Sequence, residues 1–147
     1  MQNHKSEILQ FSEFKNSTAD IKENLNKLNS KESLDTFSLV SMKNYSGDDQ
    51  DFERQLIEVF LQDVPEYLRQ LDCEISNENY EEIGKTAHKL KSPMGIFGFN
   101  ILKSNFEKIH QFSLKSQIIP IVELVAISKD NIGKIITELR EFLDNLL

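Results

Sequence analysis

The stretch from Tyr80 to Gly98 reads YEEIGKTAHKLKSPMGIFG, and the placing of its apolar residues decides the fold. Tyr80, Ile83, Ala87, Leu90 and Met94 recur every three or four positions, so on a helix that turns ~100° per residue they form one buried stripe. The Ser76-Asn77-Glu78-Asn79 segment before it supplies the start of that helix. A break from Pro93-Met94-Gly95 to Gly98 then leads into another helix, with Ile101, Leu102, Phe106 and Ile109 facing inward. Upstream, Phe52, Leu56, Val59, Phe60, Val64, Tyr67, Leu68, Leu71 and Ile75 mark a broad apolar face over residues 49–75, and Pro65 inside it predicts a kink. Downstream, Ile118, Ile121, Val122, Val125, Ile132, Ile135, Ile136, Leu139, Phe142, Leu143 and Leu146 outline a long final helix. Four such helices with short connections bury every stripe as an antiparallel four-helix bundle, an all-α fold.

The boundary of the bundle is set by polarity. Tyr45-Ser46-Gly47-Asp48-Asp49 is a turn signal in which Ser or Asp caps the next helix. Residues 1–35 form a polar arm in which Ile21, Leu25 and Leu28 recur at helical spacing, so the arm is either loose or adds an extra helix; residues 36–147 are the bundle domain.

Composition supports this reading. A chain of 147 residues makes one ordinary domain. Five Gly and three Pro supply few of the tight turns that many-stranded folds need, with 39% apolar and 28% charged residues. The net charge of -7 gives no overall attraction to nucleic acid or to an anionic membrane. A single cysteine, Cys73, excludes an internal disulfide or a cysteine metal cluster; it is expected to be a half-buried helix residue, in a reducing compartment. The first residues lack the apolar stretch of a signal peptide and no uncharged run is long enough to span a bilayer, so the cytoplasm is the expected location.

Chemistry must come from the faces that packing leaves exposed. His4 lies in the polar arm with no neighbours that give it a role and is expected to face solvent. His88 points away from the Ile83/Leu90/Met94 stripe and shares its face with Gly84, Lys85, Lys91, Ser92 and Gly95. Lys85 and Lys91 lie three residues before and after it, where their ammonium groups reach an anion held on the imidazole. Small residues at 84, 92 and 95 leave room for another surface. A neutral imidazole near pH 7 presents a nitrogen for attack, and a phosphoryl group on nitrogen is labile enough to be passed on. Spacing alone equally fits a solvated helix face.

The wording of the segment goes further. Thr86-Ala87-His88-Lys89-Leu90-Lys91, with Gly98 ten residues after the histidine, closely resembles the signature of histidine-containing phosphotransfer (HPt) domains. Residues 51–65, including the internal Pro65, look like that family's first core helix, and Phe37 to Gly47 looks like its lead-in. The resemblance implies that His88 is the phosphoacceptor and that Lys91 neutralises the incoming phosphoryl group, with Lys85 and Lys89 as lesser contributors. It implies response-regulator receiver domains and a hybrid sensor histidine kinase as partners, a monomer as the working form, no cofactor of the chain's own, and Mg²⁺ supplied by the receiver. Where the family usually has glycine after the matching lysine, this chain has Ser92 and then Pro93; the serine is expected to narrow the set of partners that fit, and the proline to end or bend the helix early.

His110 falls where the family often carries Gln or Glu beside the phosphoacceptor, and a hairpin centred near Gly98 and Phe99 brings it level with His88. A hydrogen bond between the rings would fix the tautomer of His88; an ordinary exposed histidine fits equally. Glu107 and His110 also form one Glu-x-x-His spacing, whereas di-iron bundles need two, so no metal site is expected. Nucleophile elbow, paired carboxylates and phosphate-cradling glycine loop are all missing, so the chain is not expected to be an autonomous enzyme. Two functions follow: a phosphorelay intermediate, or a bundle that binds receiver or kinase partners without accepting phosphate.

Overall fold

The computed structural model describes residues 34–146, and the arm up to residue 33, with His4, Ile21, Leu25 and Leu28, lies outside them. Each helix start is explained by a local acceptor. Ser38 accepts the N–H of Ser41 to begin α1 (Leu39–Ser46), Asp49 accepts that of Phe52 to begin α2 (Gln50–Ser76), and Asn79 accepts that of Glu82 to begin α3 (Tyr80–Ile96). The remaining helices are α4 (Asn100–Leu114) and α5 (Ile118–Leu146).

Three-residue connections make α2 to α5 run up and down; each helix packs on the next and α5 closes onto α2. The short α1 packs against α2 and α3, so an extra helix does precede the bundle, within the segment read as a lead-in. Among the described residues there is no strand. The core contains Ile57, Phe60, Val64 and Leu71 of α2, Ile83, Ala87, Leu90 and Met94 of α3, Leu102, Phe106 and Ile109 of α4, and Ile121, Ile132, Ile135 and Leu139 of α5.

Three local expectations are corrected. The buried stripe of α2 is rotated: Ile57 and Glu53 are inside, while Phe52 is 36% and Val59 55% exposed. Two positions apart on a helix differ by about 200°, so Ile57 and Val59 cannot share a face. Pro93 does not end α3, which continues to Ile96. A proline already has the helical φ and removes only the bond to the Lys89 carbonyl, and burial of Met94 and Phe97 holds the last turn in place. Cys73 is exposed rather than half-buried.

The α3–α4 hairpin is rigidly seated. Phe60, Phe97 and Phe99 pack as an aromatic cluster with centroids 5.1 to 6.0 Å apart. Gly98 has φ +74, and a Cβ there would stand 2.9 Å from the Ser41 Cβ, so both backbone and space require glycine. The start of α4 is capped from far away in sequence: the Asp35 carboxylate accepts the N–H groups of Ile101 and Leu102 at 3.3 and 2.6 Å. Asn131 of α5 grips the backbone of Asp35 from both sides, at 3.0 and 2.8 Å. Asp35 thus belongs to the compact unit Asp35–Leu147. Burial raises its carboxyl above the ordinary value, against the two backbone bonds that lower it.

Candidate functional site on α3

His88 is set on its face by what lies beneath it. Ile83, Ala87, Leu90 and Met94 are fully buried and lock the helix in rotation. Thr86 is buried too, and its hydroxyl donates to Glu74 of α2 at 3.0 Å. His88, Lys89, Ser92 and Gly95 therefore remain exposed on the opposite side. Two open clefts flank this ridge. The one between α3 and α4, about 630 Å³, has Tyr80, Gly84, His88, His110, Ser113 and Leu114 on its walls. The other, about 240 Å³, lies between α2 and α3 and is mostly apolar, with Leu56, Val59, Tyr67, Ser92, Pro93 and Ile96. Lys89 borders both.

The rings of His88 and His110 sit edge to face, with centroids 5.8 Å apart. Of the two readings left open for His110, the hydrogen bond between the rings is not the one found: Nδ1 of His110 is buried without a partner, and the edge carrying Cδ2 and Nε2 lies against Gly84. The Ser113 hydroxyl donates to the His110 carbonyl at 2.6 Å, tightening the last turn of α4 beside the cleft.

Gly84 needs a different explanation from the one its size suggested. It is buried, and a Cβ there would meet Ser113 Oγ at 2.7 Å and His110 Cδ2 at 3.2 Å. The missing side chain lets α4 approach α3, so the space is already filled and no partner enters it. Gly95, by contrast, is exposed, and a Cβ there would meet only the flexible end of Lys103, at 3.7 to 3.9 Å. Gly98 shapes the hairpin and has no direct place at the ridge.

The lysines are less free than their spacing implies. Lys85 pairs with Glu81 and Glu82 of its own helix at 3.3 and 3.4 Å, and these carboxylates hold its ammonium above its ordinary pKa. Lys89 places its ammonium 5.9 Å from the centroid of Tyr67. Lys91, half-buried, forms an ion pair with Glu107 of α4. Glu107 also accepts a bond from Gln111 at 3.1 Å, and Lys91 first, then Gln111, push its carboxyl below the ordinary value. The positive flank expected around His88 is thus largely compensated within the chain. The i,i+4 and i,i+3 partners of Lys85 were readable from spacing. The roles of Glu107, Gln111 and Tyr67 were not, because each depends on how one helix lies against another. Glu107 spends both its oxygens on these two contacts.

No described helix is long and apolar enough to cross a membrane. No curated protein and no solved structure matches the chain. The family model for the Hpt domain matches residues 55–147, which covers α3, α4, α5 and most of α2. The chain is a member of the Hpt domain family.

Proposed function

We propose that the chain is a phosphorelay intermediate in which His88 accepts a phosphoryl group from a phosphoaspartate of one receiver domain and passes it to another. The observation that carries this is the placing of His88: an exposed imidazole on a rotationally locked helix, raised between two clefts, in a member of the Hpt family.

An unprotonated ring nitrogen of His88 attacks the phosphorus, the N–P bond forms as the aspartyl P–O bond breaks, and the electron pair leaves with the aspartate carboxylate. The forward step to a second receiver reverses these roles. Exposure of the ring lets it enter a partner's cleft, and the apolar cleft with Val59 and Ile96 offers a surface for that partner to cover. Lys91 neutralises the phosphoryl group after transfer, with Lys85 and Lys89, which line the same cleft as His88, as lesser contributors. Nothing in this scheme needs an ATP site in the chain, and Mg²⁺ belongs to the receiver's own acidic pocket. On this reading the protein works as a monomer in the cytoplasm, fed by a hybrid sensor histidine kinase.

Incubation with a phosphorylated receiver and Mg²⁺ tests the proposal. Acid-labile phosphate is expected on the wild type and not on His88→Gln. Tight receiver binding without label, in several receivers, would instead favour the non-phosphorylated adaptor.

A further inference from the structure

Every lysine near His88 already has a partner, which raises the question of which one a phosphoryl group recruits. Phosphorylation adds a charge of about -1.5 to -2 beside these side chains. Lys85 would have to leave two carboxylates of its own helix. Lys89 borders the cleft of His88 and His110 as well, but its ammonium is turned toward the Tyr67 ring of α2. Lys91 has a single carboxylate partner, Glu107. That carboxylate keeps its bond from Gln111 if Lys91 departs, so the exchange strands no charge without a donor. Glu107 also lies one helical turn before His110, whose ring is against His88, so it stands on the α4 face turned toward the phosphoacceptor.

We propose that Glu107 is a positioning residue that holds Lys91 while His88 is bare and competes with the phosphoryl group for it once His88 is loaded. Glu107 thereby shortens the life of the phosphohistidine and favours onward transfer. This rests on the phosphotransfer reading of His88. The low pKa of Glu107 agrees with it, since the carboxylate stays ionised and keeps competing throughout the neutral range.

The test compares the wild type, Glu107→Gln, Lys91→Ala and the double variant, each loaded chemically with phosphoramidate. In that reaction the His88 nitrogen takes the phosphoryl group, the donor's P–N bond breaks and ammonia leaves, so no receiver is needed. Glu107→Gln keeps an acceptor for Gln111 and removes the charge. Its phosphohistidine half-life is expected to lengthen roughly twofold to fivefold, the span of a partly exposed ion pair. In the Lys91→Ala background that lengthening should shrink toward none. An unchanged or shortened half-life in Glu107→Gln, with a native melting curve, would overturn the proposal. So would an equal lengthening without Lys91, because the effect would not then pass through that ammonium. Failure of receivers to exchange phosphate with a chain whose half-lives do differ in this pattern would overturn the relay reading and uphold this one.

Discussion

The two clefts beside α3 differ in chemistry although one ridge separates them. The α2–α3 cleft is walled mainly by Leu56, Val59, Tyr67, Pro93 and Ile96, side chains that gain by being covered, with Asp63 and Lys89 among them. The α3–α4 cleft holds His88, His110, Ser113 and the paired Glu81 and Lys85, and next to it lies the Lys91–Glu107 pair. Both flanks have apolar surface that a partner can cover, and the α3–α4 flank adds the two histidines. The difference teaches that a helix locked by its inner stripe can offer docking surface on both outer flanks and chemistry on one.

The largest way to break that division is to loosen the lock itself. Leu90→Ala removes a fully buried side chain beneath the ridge, and a cost of about 2–5 kcal/mol is expected in urea unfolding, with both flanks impaired together. Gly84→Val is expected to cost about 1–3 kcal/mol by forcing α4 from α3. In that variant the magnitude of His88 labelling should fall while binding at the apolar flank persists; calorimetric titration of an unphosphorylated receiver separates the two. Val59→Ser should leave stability within about 0.5 kcal/mol, because the side chain is already exposed. The same change should weaken receiver binding about tenfold if Val59 lies in the buried centre of the contact.

The smallest effect concerns pH. Glu107 has a folded pKa below the ordinary 4.5, so its contribution to stability is fully present above 4.5 and is lost as pH falls toward the lower folded value. Urea midpoints measured downward from pH 5 should fall more steeply in the wild type than in Glu107→Gln.

How much of this was legible in the sequence depends on the range of the signal. The stripe of α3 was readable because Ile83, Ala87, Leu90 and Met94 fall at helical spacing among polar neighbours, with Tyr80 at its half-buried end. The face of α2 was misjudged because Leu56, Ile57, Val59, Phe60 and Leu61 crowd together, and such a run does not say that Ile57 and Phe60 are the two that turn fully inward. Exposure of His88 followed from the stripe beneath it. The cap that Asp35 gives α4 joins residues 66 and 67 positions apart, and the Lys91–Glu107 pair spans 16 across a hairpin. Neither separation has a sequence period, so both needed the packed helices. Gly84 was recognised as small but not as the place where two helices meet, since only α4 shows what occupies the space.

The central claim is that phosphate resides on His88, and phosphorus NMR of the chain after incubation with a phosphorylated receiver tests it most directly. The account predicts one nitrogen-bound phosphorus signal that is lost on acidification and missing in His88→Gln; a signal that persists in that variant, or none in the wild type, would contradict it.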